Sequence, residues 1–232
     1  DLEDTADNFE RVLGVKKQMF LKYFKKWENI YEISEEVFLK GDFKIDLNFI
    51  KNAIKWIVNS GFSNIFISMA TYNKRLQNPD LEKIMNRFAT YTGSSPYKTP
   101  AFMNQLAVVE MVLGGFYPKG GIFSIPKALE SLCLDLGVEF EFNCKIEKIN
   151  VLKSEIEILS NKKRFATKKL ISNIDYYTTQ RLLGNKSRKS RTVLSTSAIV
   201  FYWGVKSKFN QLKLHNIIFS KDYKKEFSEI FK

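Results

Sequence analysis

The chain has 232 residues, 44% of them hydrophobic and 27% charged, which excludes a disordered tail and leaves room for one large domain or two modest ones. Two cysteines, Cys133 and Cys144, and a single histidine, His215, exclude a disulfide scaffold and a multi-histidine metal centre, and they fit a reducing compartment. The net charge of +12 points to an anionic partner, either nucleic acid, anionic lipid or a phosphate-bearing cofactor, or else to lysine-rich faces that are simply solvated. Charge is unevenly spread: the first ten residues carry five acids and no base, whereas 160–191 holds ten bases and one acid, Asp175. No apolar run approaches the roughly 18 residues of a membrane-spanning helix. The chain starts at Asp1 without a leader pattern and stops inside an amphipathic pattern at Lys232, so it reads as an internal piece of something longer.

The first third is predicted helical. Met19, Phe20, Tyr23, Phe24, Trp27, Ile30 and Tyr31 recur at three- and four-residue spacing, with Lys16, Lys17, Lys22, Lys25 and Lys26 on much of the opposite face. Such a helix either lies in a lipid interface or packs on the protein core. After Gly41-Asp42 a second helix carries Phe49, Ile50, Ala53, Ile54 and Ile57. Asn78-Pro79-Asp80 starts another, since Asn caps, Pro is tolerated at the first position and Asp complements the helix dipole. Thr99-Pro100 opens a helix ending near Gly114-Gly115. A further helix begins at Ser124 with Leu129, Leu132, Cys133 and Leu136 inward, and Gly137 stops it.

The period then switches to two. Val138, Phe140 and Phe142 alternate with Glu139 and Glu141, and strands are predicted there, over 145–151, 155–159, 165–168 and 170–172. A long strand is predicted over 193–205, another over 216–220, and Tyr223, Phe227, Ile230 and Phe231 line a last helix. Helices and strands so mixed make the fold class α+β or α/β.

Three features could carry chemistry. Gly114-Gly115 and Gly120-Gly121 lie close together, but match neither GxGxxG nor GxxxxGK[ST], so a tight turn between helices is the competing reading. The segment from Phe88 to Ala101 joins two helices and mixes aromatics, hydroxyls and turn formers. Glu110 stands in an apolar run. It reads either as a half-buried general base with a raised pKa or as a carboxylate on the wet edge of a helix. No catalytic motif stands beside His215, which reads as a structural histidine.

Phe88-Ala89-Thr90-Tyr91-Thr92-Gly93-Ser94-Ser95-Pro96-Tyr97 through Pro100-Ala101 resembles the substrate-domain signature of the bacterial-type phytoene desaturases, the carotenoid desaturase family. Gly115-Phe116-Tyr117-Pro118-Lys119-Gly120-Gly121 and the helix after it resemble that family's proline-glycine-glycine segment. The stretches 136–140 with 146–149, Ile171 to Asp175, and 214–223 resemble later family segments in the same order. Together they cover most of the chain from about Leu81 onward, and the Ala-Thr-Tyr and Ser-Pro-Tyr wording looks nearer the hydroxycarotenoid 3,4-desaturases.

The resemblance implies an amine-oxidase-like flavoprotein that uses FAD to desaturate a long apolar polyene in carotenoid biosynthesis. A flavin-dependent carotenoid isomerase or saturase of the same fold, or a basic membrane- or RNA-binding module, are the alternatives; no RNA-binding fingerprint is present. The implied domains are a helical part of the substrate domain over 1–120, part of the FAD domain over 121–184, and a sheet part of the substrate domain over 185–232. The family's glycine-rich fingerprint and carboxy-terminal flavin segment have no counterpart in the chain, so the piece by itself is expected to be inactive. By carry-over, Glu110 is the catalytic candidate, Tyr91, Gly93, Ser94, Pro96, Tyr97, Phe116 and Tyr117 bind substrate, and Gly120, Gly121, Ile146, Asn173 and Asp175 meet the cofactor. Ile146 stands where the family usually has Val, a mild change if backbone atoms meet the adenine. The expected location is cytoplasmic, on a membrane surface, with no nucleic-acid partner.

Overall fold

Helices in this chain start where the sequence supplies a cap. The computed structural model describes residues 1–40, 44–185, 196–213 and 215–231. Helix α1 (Leu2–Leu13) opens with a reciprocal box: the Asp1 carboxylate accepts from the Asp4 N–H, and the Asp4 carboxylate accepts from the terminal amine. Helix α2 (Lys17–Phe38) buries Phe20, Phe24, Trp27, Ile30 and Val37 on one stripe. Asp46 starts α3 (Leu47–Ser60) by accepting from the Phe49 N–H at 2.8 Å. Short helices α4 (Ser63–Phe66) and α5 (Met69–Asn73) follow. Then comes α6 (Pro79–Asn86), whose Asn78 cap accepts from the Asp80 and Leu81 N–H groups as the Asn-Pro-Asp wording predicts. Two 3-10 segments, Arg87–Thr92 and Ala101–Gln105, lead into α7 (Leu106–Met111). The helix predicted from Pro100 is thus split, beginning as a 3-10 turn.

Helix α2 is the centre of this helical part and packs on α1, α3 and α7. That settles its two readings in favour of the core. Its apolar stripe is covered by Phe9, Tyr72, Leu81, Met85 and Phe88, which leaves it no face for lipid. Lys26 covers the edge of the same core, its amine 2.9 Å from the Tyr72 hydroxyl and 5.0 Å from the Trp27 ring. Several polar groups buried here are paired, although the Trp27 indole N–H and the Ser60 hydroxyl have no partner among the described residues. Asn73 donates to Asn86 at 2.8 Å and to Asn104 at 3.1 Å and accepts from Tyr23, while Trp56 donates to Ser34.

The next segment carries α8 (Ser124–Asp135) and a three-stranded antiparallel sheet in the order β1 (Ile146–Val151), β2 (Ile156–Ser160), β3 (Arg164–Thr167). The register pairs Ile149 with Ile158 and Ile158 with Phe165, as the alternation predicts. Helix α9 (Tyr176–Leu182) follows, capped by Asp175.

Several expectations fail here, for one reason: a strand persists only where a neighbour satisfies its backbone groups. Residues 138–142 form no strand, although the Phe140 and Phe142 rings stack at 5.7 Å. Residues 170–172 form none either. Leu129, Leu132 and Leu136, expected inward on α8, are exposed, since nothing among the described residues covers that face. In the last segment residues 196–205 carry no ladder and their apolar side chains are bare, Trp203 80% exposed. The rest of that predicted strand, 193–195, lies outside the described residues. Residues 216–220 are not a strand. The final helix α10 (Tyr223–Ile230) is capped by Asp222 and buries Tyr223 and Phe227.

The content is therefore mixed, helices with one small sheet. The chain divides into two compact units, Asp1–Phe116 with Leu194–Lys232, and Tyr117–Val193.

Candidate functional site

In the first unit, the 3-10 segment after α6 and helix α7 bring together three side chains, two from the same turn and a third about twenty residues on. Arg87 donates from one terminal nitrogen to the Tyr91 hydroxyl at 2.8 Å and from the other to a Glu110 carboxylate oxygen at 2.7 Å. The Tyr91 hydroxyl donates to the second Glu110 oxygen, closing the triangle. Arg87 is largely buried, 14% exposed, and its guanidinium lies 4.5 Å from the Phe88 ring centre. Glu110 opens to solvent, 41% exposed.

Of the two readings of Glu110, the half-buried base with a raised pKa is not the one found. Burial does push this carboxyl up, but the bonds from Tyr91 and Arg87 outweigh it and hold it below the ordinary carboxylate range. Tyr91 is moved the other way, first by burial and then by donating to Glu110, so it keeps its proton. The cluster is an ionised carboxylate fixed by two donors. Arg87 was missed in the sequence. Its only signal there is that it stands four residues before Tyr91, a spacing that lets side chains meet on a helical turn.

Because the Glu110 pKa in the folded chain lies below its unfolded value, it adds stability that is present above the unfolded value and is lost as pH falls through the folded one. Removing Arg87 leaves burial as the larger influence. In Arg87→Met the Glu110 carboxyl is expected to titrate at higher pH than in the parent, read by carbon NMR of that side chain. An unchanged midpoint would mean the guanidinium does not set the charge.

The loop after Tyr91 is rigidly held. The Gly93 N–H donates to the Thr90 carbonyl at 2.9 Å, and its left-handed backbone (φ 63), which a side chain would strain, turns the chain so that the next N–H points back at the 3-10 segment. The Ser94 N–H donates to Ala89, and the Pro96 carbonyl accepts from the Ala70 N–H at 3.0 Å. Tyr97 stands edge-on to Phe227 of α10, with ring centres 6.2 Å apart, and burial raises its pKa. Phe116, by contrast, is 91% exposed and touches none of this.

In the second unit Tyr117 is exposed beside a turn in which Gly120 and Gly121 are left-handed (φ 88 and 89). A methyl group on Gly121 would meet only the Tyr117 hydroxyl at 3.5 Å, an ordinary contact. Backbone conformation, not crowding within the unit, is what calls for glycine there. Ile146 is the first paired residue of β1, opposite Ser160. Asp175 accepts from the Thr178 N–H at 2.9 Å, and the bonds from Thr178 hold its carboxyl below the ordinary range. Asn173 is exposed.

No protein-family model matches the chain. A 1-hydroxycarotenoid 3,4-desaturase of Flavobacterium sp. (strain P99-3) is 36% identical over 237 residues, covering 100% of this chain and 49% of the relative. The chain belongs with the carotenoid desaturases. A zeta-carotene-forming phytoene desaturase of Myxococcus xanthus is 31% identical over 70% of this chain and 33% of its own length. A carotenoid 3,4-desaturase of Haloarcula japonica is 25% identical over 100% of this chain and 48% of its own. The chain spans about half the length of the two desaturases it matches end to end.

Among the residues expected to meet a cofactor in a desaturase, Gly120 and the exposed Asn173 are the ones left uncommitted. At the glycine turn a side chain is missing at Gly120, but the Gly121 N–H already donates to the Pro118 carbonyl at 2.9 Å and its carbonyl accepts from Ser124. Ile146 has its backbone in the β1–β2 ladder, and the Asp175 carboxylate is committed to capping α9.

Proposed function

We propose that this chain is part of a carotenoid desaturase that removes a hydride from one allylic carbon of a long polyene and a proton from its neighbour, leaving a new double bond. The observation that carries the reading is the end-to-end similarity to a 1-hydroxycarotenoid 3,4-desaturase. In this reading the Gly120-Gly121 turn would help to hold FAD, which when bound would supply the hydride acceptor. The first unit is substrate-domain and the second flavin-domain material. Within the first unit the held loop from Tyr91 to Tyr97 presents aromatic surface to the polyene; Phe116 and, in the second unit, Tyr117 are assigned to it by the family resemblance.

Glu110 carries a specific part. Its lowered pKa makes it a weak proton acceptor but a good electrostatic partner, because an ionised carboxylate stabilises the positive charge that hydride loss leaves on the polyene. Arg87 and Tyr91 hold it ionised and oriented. A polyene dissolves in bilayers rather than water, so the enzyme meets it at a membrane surface. None of the described helices is long and apolar enough to cross a membrane.

The test uses the intact protein with a hydroxylated acyclic carotenoid in detergent micelles. The expected product has one more conjugated double bond and a red-shifted absorbance. Tyr91→Ala and Tyr117→Ala are each expected to lower turnover about tenfold or more with flavin content unchanged. Parent-like product profiles in both variants would refute the substrate assignment, and no desaturation by the parent would refute the reading as a whole.

A further inference from the structure

Helix α3 has a wide apolar arc, and only one side of it is used. Phe49, Ala53, Trp56 and Ser60 turn toward α2 and the core, with Trp56 and Ser60 buried. At 3.6 residues per turn, Leu47, Ile50, Ile54, Ile57 and Val58 fall beside that face, centred roughly 120° round the helix from it. All five are exposed, Leu47 by 85% and Val58 by 71%. Phe62, just past the helix end, extends the stripe at 67% exposure. Scattered exposed apolar side chains need no explanation, but a continuous aliphatic stripe beside the core face does.

Charge indicates what covers it. Lys51 and Lys55 stand together along one flank of the stripe, and neither makes an ion pair among the described residues. The helix contains no acidic residue, its nearest being the Asp46 cap. An aliphatic stripe with unpaired lysines along its edge suits a surface that is apolar at depth and anionic at its rim. We propose that α3 is the membrane-docking helix, lying in the plane of an anionic bilayer with this stripe buried about 5–10 Å into the headgroup boundary. It takes the place that the lysine-studded α2, whose apolar stripe is core, cannot fill. The inference rests on the reading of the substrate as a bilayer-dissolved polyene, and it gives that substrate a route to the protein: the first unit rests on the phase that holds it.

Sedimentation of the intact protein with vesicles of phosphatidylglycerol and phosphatidylcholine tests this. The parent is expected to partition onto anionic vesicles and to come off partly as salt rises. Ile54→Asn with Val58→Asn should reduce partitioning by about tenfold or more, with melting temperature unchanged, because both side chains face outward. Lys51→Glu with Lys55→Glu should reduce it comparably on anionic vesicles and abolish the salt dependence. Parent-like partitioning of the Asn pair would overturn the proposal. So would a marked fall in its melting temperature, which would show that protein, not lipid, covers the stripe. Desaturation of polyene presented in detergent micelles separates the two ideas. The Asn pair should retain it there and lose it on vesicles, whereas no activity in the micelle assay from parent or variant would count against the functional reading alone.

Discussion

Trp27→Ala is expected to lower the melting temperature by about 10 °C. Trp27 is fully buried at the centre of α2, edge-on to Tyr72 with ring centres 5.0 Å apart and within 6.2 Å of Tyr23. Truncating a buried Trp to Ala costs about 3–5 kcal/mol, the lost transfer free energy plus that of the cavity left behind. In a chain of this size each kcal/mol shifts the midpoint by about 2–4 °C. The Lys26 side chain that lies over the ring loses its support as well. The control lies on the same helix. Lys22→Glu with Lys25→Glu should move the midpoint by no more than about 2 °C, since both lysines are exposed and the Lys25–Glu28 pair, at 3.0 Å, is a surface ion pair. Differential scanning calorimetry reads both. Equal shifts in the two variants would contradict the placement of the α2 stripe in the core.

Arg87→Met is expected to reduce turnover by about tenfold to a hundredfold and to cost about 1–2 kcal/mol of stability. The variant keeps the hydrophobic stem against Phe88 but takes both terminal donors from Tyr91 and Glu110. Bonds to charged groups are worth about 1.5–3 kcal/mol when buried, and the solvent exposure of Glu110 reduces that. The effect on turnover follows from the carboxylate, which loses both its orientation and part of what keeps it ionised. Glu110→Gln, which removes the charge and keeps the shape, should lose a comparable factor. In the double variant the stability losses should fall short of additive by about 1 kcal/mol, because both changes break the same contact. Additive losses would show that the two residues do not act as a unit. An Arg87→Met enzyme with parent-like turnover would make the triangle a structural brace.

Much of this molecule is written locally. The starts at Asp46, Asn78, Asp175 and Asp222 are properties of single side chains that accept from N–H groups two or three residues on, so they can be read without knowing the fold. The α2 stripe is legible for the same reason, as a 3.6 period over 22 residues. The β1–β2–β3 sheet is legible because its strands are sequential and joined by short turns, so each finds its partner next to it. The motifs around Tyr91 and Gly120 were enough to indicate the family.

Only tertiary structure decided the rest. Alternation over 196–205 is a sound strand pattern, yet a strand is a relation between two segments, and no described residue supplies the second. Which face of an amphipathic helix meets protein is likewise a property of its neighbours. Helix α2 proved to be core because α1, α3 and α7 close on it, while the Leu47–Val58 stripe of α3 is left bare. The Glu110 pKa depended on a guanidinium 23 residues earlier in the chain, placed by a 3-10 turn that no period announces. An apolar run around a carboxylate predicts desolvation and hence a raised pKa. Two donors arriving from elsewhere in the fold reverse the sign, because a direct charge-assisted bond to the ionised form outweighs the partial loss of water around it.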